Sequence, residues 1–423
     1  MRNLSLRHPK ARIILFLSVV PLLLAFLFLG SKTYNKFGSL DSKHRTGWSQ
    51  KDLIITYSCS PPPEEPYVKA IADQGYNLLP IAEDALPFAE KYNVKVLLQH
   101  GLFNVKTMES PIELEQLNAL IDRVKDNPAL EGYYIFDEPQ EVEFPKLAKL
   151  VRHIKARDPH HFCFVNLLPI FGVRTKKIKD PSLIYKDYIN EYIRQFKPDL
   201  LSYDYYTFVK YSNSPAAGLY FIHLRLMREC ARKAELPFMN IIQASQFQVR
   251  DWDMPTPAQL RWQVYTSLAY GARAINYFLY WGPKSFAGMY RDGVAIPLVD
   301  AAALLNKEMK ALSSTLMSME SLYIFQTDPL PPGALPMPFG CPLQITSPGQ
   351  FVVGVFGEDR KEKAFMIVNR DFSKSVVARV KVLGAEALSE LQRSDSSWKT
   401  VNPNQNGEFE ILLEPGDGRF FKF

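Results

Sequence analysis

Cysteine is scarce in this chain: 4 residues among 423, at Cys59, Cys163, Cys230 and Cys341. They are scattered, with no Cys-x-x-Cys pair and no His/Cys spacing of a zinc site, so neither a disulfide framework nor a structural metal knot is expected. Histidine is also sparse, at 7 residues, without His-Glu-x-x-His, paired-His or EF-hand spacing, which leaves no metal site to read. No Gly-x-Ser-x-Gly elbow presents a nucleophilic serine. No Gly-x-Gly-x-x-Gly or phosphate-cradling glycine loop follows the first apolar run, so nucleotide cofactors are not expected. The net charge of +6 owes much to basic residues near the amino terminus. No basic stripe with interleaved aromatics points to nucleic acid. Internal repeats are missing as well.

What the chain does have is regular alternation. Eight apolar runs end in polar or aromatic residues: Leu53–Cys59, Tyr76–Ala82, Val94–His100, Leu130–Glu138, Phe162–Pro169, Leu200–Phe208, Phe238–Ser245 and Ala274–Trp281. Stretches of helical spacing separate them, at Pro66–Gln74, Asp84–Tyr92, Ile112–Lys125, Phe144–Arg157, Ile184–Phe196, Gly218–Ala234 and Pro257–Tyr270. Strands alternating with helices predict a parallel sheet, and eight repeats predict its closure into a (β/α)8 TIM barrel spanning 51–327. A proline-rich linker over 328–340 then gives way to short alternating runs over 341–423. These read as a small all-β sandwich.

At the amino terminus, Arg2, Arg7, Lys10 and Arg12 occupy a basic segment, 1–12, ahead of Ile13–Gly30, which carries no charge. That run is long enough to span a bilayer, and no small-residue cleavage site follows it. The basic flank places the amino side in the cytoplasm and the body outside it, periplasmic or extracellular, on a polar tether over 31–50. Cleavage as a signal peptide would instead release the body as a secreted protein. The membrane is therefore one expected partner.

The second expected partner is carbohydrate. Run four closes on Asp137-Glu138-Pro139, two adjacent acids stopped by a proline that cannot supply a ladder N–H. Side chains alternate along a strand, so one acid is expected in the cleft and the other in packing or supporting the first from behind. Barrel enzymes carry their chemistry at the carboxyl ends of the strands. Those ends offer Tyr57, Gln99, His100, Asn166, Tyr203, Asp204, Tyr206, Gln243, Tyr280 and Trp281 beside the acid pair. Amides and acids hydrogen-bond sugar hydroxyls, and aromatic faces stack on sugar rings. Glycosidic cleavage needs one protonated carboxyl and one carboxylate, which Glu138 and Asp204 would supply.

Asp137-Glu138-Pro139 with Trp281 at the end of run eight resembles the clan of retaining barrel glycosidases that includes β-galactosidases and cellulases. That clan has Asn-Glu, often with Pro, on strand four and a nucleophilic Glu on strand seven. The resemblance implies that Glu138 is the acid/base. It departs at Asp137, in place of the Asn, and at Gln243, where a nucleophilic Glu is expected. Three readings stay open: Asp204 supplies the second carboxylate; Asp137 and Glu138 act together as in substrate-assisted hexosaminidases; or the site is a catalytically inactive glycan-binding or envelope-structural one.

Overall fold

A computed structural model describes residues 47–173, 180–209, 218–247 and 251–423, all within one compact unit. The candidate membrane span at 13–30 lies outside the described residues. Among the described residues no helix is long and apolar enough to cross a membrane.

Eight short parallel strands form the first half: β1 (Ile54–Tyr57), β2 (Leu78–Ile81), β3 (Lys95–Leu98), β4 (Leu130–Asp137), β5 (Phe162–Asn166), β6 (Leu201–Asp204), β7 (Phe238–Gln243) and β8 (Ala274–Phe278). They form two four-stranded sheets, β2-β3-β4-β5 and β1-β8-β7-β6. Side-chain and backbone bonds join the sheets at both seams. At one, the Asn77 amide group stands in for a ladder rung, accepting from Ile55 N at 2.7 Å and donating to Leu53 O at 2.8 Å. At the other, Leu167 N donates to Ser202 O at 2.9 Å, and Leu167 bridges Tyr203 in parallel. The ring is thereby closed.

Helices α1 (Glu65–Asp73), α2 (Leu86–Lys91), α3 (Pro111–Val124), α4 (Phe144–Arg157), α5 (Pro181–Phe196), α6 (Tyr220–Lys233), α7 (Pro257–Ala269) and α8 (Leu298–Ser318) surround it. Proline in the first turn of α3, α4, α5 and α7 fixes φ where no intrahelical N–H is needed. Ser110, Asp180 and Thr256 cap orphan N–H groups of α3, α5 and α7. The helix α8 has no counterpart in the spacing analysis. It follows an inserted three-stranded unit, β9 (Trp281–Gly282), β10 (Tyr290–Arg291) and β11 (Val294–Ala295), in which β10 runs parallel to β9 and antiparallel to β11, and which interrupts the strand–helix rhythm.

Inside the ring, Ile54, Leu78, Leu97, Phe162, Phe164, Met239, Ile241 and Ala274 make a separate apolar core. Gly132 makes room for it: a Cβ there would meet Phe162 O at 2.6 Å and the Phe162 ring at 2.8 Å. Trp48 seats its ring on Phe162, with centroids 4.8 Å apart, and its indole N–H reaches Glu131 at 2.7 Å. The amino end of the ring is thus filled, and access is left to the carboxyl end.

The second half is two antiparallel sheets. One has order β12-β14-β15-β20-β17-β18 and the other β13-β16-β19, from β12 (Glu320–Gln326), β13 (Leu343–Ile345), β14 (Phe351–Glu358), β15 (Lys361–Asn369), β16 (Val376–Val382), β17 (Leu388–Leu391), β18 (Trp398–Val401), β19 (Phe409–Leu413) and β20 (Gly418–Lys422). Their facing sides enclose Phe325, Phe351, Val353, Phe365, Val380 and Phe421. The outer face of β14 and β15 packs on the barrel, so these strands are apolar on both sides. Gly354 permits this approach: a Cβ would lie 2.1 Å from Ala269 O in α7. One boundary is corrected. Residues 320–326, assigned by spacing to the barrel span ending at 327, pair with β14, because the chain crosses before the prolines rather than through them.

Candidate active site

The strand β4 carries a bulge between Tyr134 and Phe136 before Asp137 registers with Asn166 on β5. The next residue, Glu138, has φ of 53°, a left-handed backbone that a non-glycine residue adopts uncommonly, and its N–H is held by Asn166 O at 2.9 Å. These two irregularities cancel the strand alternation. The expectation that only one acid reaches the cleft is therefore corrected: Asp137 and Glu138 are both solvent-exposed at the mouth, and both join one cluster.

Asn166 organises that cluster. Its Nδ2 donates to Asp137 Oδ1 at 3.0 Å and to Asp204 Oδ1 at 2.9 Å. Ser202 Oγ donates to Asn166 Oδ1 at 3.1 Å, which fixes the amide's orientation. Asp204, at the end of β6, is 6% exposed. Its carboxyl lies close enough to the Glu138 carboxyl and the Tyr206 hydroxyl for each to bias the other's ionisation. Burial, then the charge of Glu138, raises the Asp204 carboxyl well above the ordinary range, against the help of Asn166. Asp137 is raised by surrounding protein, with Asn166 opposing; solvent reaches this carboxylate and screens it, so the stronger effect belongs to Asp204. Two carboxyls set this close favour keeping a proton on the buried member, since two carboxylates would repel.

An aromatic wall stands beside the acids. Tyr206 stacks on Phe278 at 5.0 Å and packs against Trp252 at 4.6 Å, all three half-exposed. The Tyr206 hydroxyl is held protonated by burial and by the neighbouring Asp204.

Of the residues proposed from sequence, Asp137, Glu138, Asn166, Asp204 and Tyr206 come together here. The others do not. Tyr57, Tyr203 and Tyr280 are buried in the core between strands and helices. Tyr57 packs on Tyr76 and Tyr280, while Tyr203 lies parallel to His223. Trp281 belongs to β9, where it stacks on Tyr290 at 5.5 Å and meets Tyr67 edge-on. His100 is exposed and accepts from Leu102 N in its own turn at 3.1 Å. Gln99 is half-buried at the end of β3. Gln243 is fully buried: it accepts from Phe208 N at 2.8 Å and donates to Phe208 O at 3.0 Å and Asp253 O at 2.8 Å. It braces the loops after β6 and β7 instead of lining the cleft. Gln243→Ala is expected to cost about 2–4 kcal/mol of stability by stranding these backbone groups, read as a lower midpoint of chemical unfolding; an unchanged midpoint would remove the bracing role.

Sequence reading missed Ser202, Phe278, Trp252 and Cys59. Ser202 was legible two residues before Asp204 on the same face, and Phe278 by counting in twos from Ala274. Cys59, exposed with φ of 64°, is close enough to Asp137 for that charge, after burial, to raise its thiol.

No family model and no curated protein matches this chain. Solved structures do. A glycoside hydrolase superposes with TM-score 0.54 at 13% identity, covering 88% of this chain and 92% of that one. A family 5 glycoside hydrolase from Bacteroides vulgatus gives 0.53 at 12% identity, covering 88% and 89%. The fold is that of a glycosidase-like barrel. At such identities the likeness extends to the fold, and any chemistry has to be argued from the cluster of acids.

Proposed function

We propose that this protein hydrolyses O-glycosidic bonds of an extracytoplasmic oligo- or polysaccharide. The observation that carries the reading is the buried Asp204 carboxyl at the end of β6, set beside the mouth-facing Glu138 just past β4, with Asn166 of the intervening β5 tying the acid cluster together. A proton retained by this pair is available near neutral pH, where an isolated glutamic acid has lost its own. Glu138 faces the mouth and is the donor to the leaving oxygen; Asp204, enclosed beneath it, keeps the pair protonated. The Tyr206–Phe278–Trp252 wall offers a sugar ring an apolar face. The basic flank and uncharged run at 13–30 support a body exported and held at the membrane.

The test is release of product by the full chain from a panel of aryl glycosides and natural polysaccharides, with Glu138→Gln beside it. Release by the native chain and not by the variant is expected. Equal release, or none from any substrate, would contradict the proposal. The alternative, glycan binding without cleavage, is favoured by Gln243, which puts an amide engaged in bracing where the resembling clan has its nucleophile. Saturable binding without turnover would mark it.

A further inference from the structure

Positive charge accumulates where the barrel meets the sandwich. Arg228, in the third turn of α6, is 5% exposed. Its Nη1 donates to Tyr270 O at 3.1 Å and to Ser321 Oγ at 2.7 Å, and its Nη2 donates to Ser321 O at 3.1 Å. All three partners are neutral. Among the described residues no carboxylate forms an ion pair with Arg228, and burial, then the charge of Arg232, holds its guanidinium below the usual range. Residues a helical turn apart share a face, so Arg225, Arg228 and Arg232 line up along α6. Arg225 Nη1 donates to Glu229 Oε1 at 2.9 Å, but Lys186 also pairs with that carboxylate. Arg232 donates to Leu322 O at 2.6 Å and meets the exposed Glu320 only at 3.9 Å. Two carboxylates thus serve four cations. A buried cation without a counter-charge is costly, and an incoming anion would relieve that cost.

The three arginines line a groove of about 280 Å³, and Tyr323, Ile324 and Leu335, from β12 and the segment after it, complete the lining. That volume lies at the small end for ligand pockets. Guanidinium forks match the paired oxygens of a carboxylate or a phosphate. An apolar wall, by contrast, offers nothing to a bare ion and suits a carbon skeleton. We propose that this groove binds a small organic oxyanion, a carboxylate or phosphate ester on a body about the size of a single sugar ring. The oxygens lie on Arg225, Arg228 and Arg232, and the body lies against Tyr323 and Leu335. This site is distinct from the acid cluster, which is built at the carboxyl ends of β4, β5 and β6. Its occupant touches both α6 of the barrel and β12 of the sandwich, so binding stabilises their junction.

Calorimetric titration of the full chain with glucuronate, glucose 6-phosphate, inorganic phosphate and glucose tests the site. At least one of the two sugar acids is expected to bind with Kd of about 1 mM or tighter, the return on two charge-assisted hydrogen bonds. That binding should weaken as salt is raised and should lift the melting temperature of the native chain. Arg225→Gln and Arg232→Gln are each expected to bind the acid at least about tenfold more weakly, the scale of one such bond. Both positions reach the open side of the groove, whereas removing Arg228 would also strand Tyr270 O and Ser321 O. Arg379→Gln, which breaks an exposed ion pair with Glu410 in the sandwich, is expected to keep the native affinity. No binding of either sugar acid, equal binding of glucose, or undiminished binding by both groove variants would overturn the site. Inorganic phosphate bound as tightly as glucose 6-phosphate would overturn the organic body.

Discussion

Replacing Glu138 with Gln is expected to lower turnover by about 10²- to 10⁴-fold on substrates with poor leaving groups, the range that a positioned general acid supplies. Aryl substrates that leave without a proton should lose far less in the cleavage step. The side chain keeps its shape and can still hydrogen-bond Asp204, so fold and sugar binding should remain. The pH profile carries a second signature. In the native chain, activity should fall on the alkaline side as the Asp204–Glu138 pair gives up its shared proton. In the variant that limb should vanish along with most of the rate. Undiminished turnover of an alkyl glycoside by Glu138→Gln would remove Glu138 from the acid role.

Asp204→Asn should separate stability from activity. Asp204 sits buried against Glu138, with its carboxyl raised by burial and then by that neighbouring charge. A raised carboxyl contributes most to folding below its unfolded value, about 4, where both states hold the proton. That contribution is lost as pH rises toward the folded value, because the unfolded chain ionises freely and the native one does not. Asparagine has no proton to lose and can still accept from Asn166. The variant should therefore match the native chain near pH 4 and exceed its melting temperature by a few degrees at pH 7–8. Its turnover should drop at least about tenfold at neutral pH, since Glu138 then has no buried carboxylic acid beside it. A variant less stable than the native chain at pH 8 would refute the raised carboxyl.

Much of the barrel was legible, and the reason is periodicity. Alternating runs of period two and stretches of period 3.6 fall within a few residues of β1–β8 and α1–α7. The ends of the runs were harder, because facing direction decides function there and a one-residue change reverses it. In β6, Ser202 and Asp204 face the ring interior, so Tyr203 necessarily joins the outer core. In β8, the interior series runs Ala274, Asn276, Phe278, which leaves Tyr280 and Trp281 past the strand. At β4 counting fails altogether: the bulge and the left-handed Glu138 bring two consecutive acids to the mouth, and no residue-type pattern announces either. Gln243 shows a different limit. Its identity was legible, but its partners are backbone groups of loops that only the fold brings near.

On the proposed reading, Asp204 and Glu138 hold one proton between them at the mouth of the barrel. Carboxyl titration by NMR, with ¹³C-labelled aspartate and glutamate side chains in the native chain and in Asp204→Asn, tests it most directly. Two coupled steps are expected for the pair, one of them well above the usual carboxylate range, with the coupling lost in the variant. Independent titration of both groups in the native chain, each near its usual value of about 4, would contradict it.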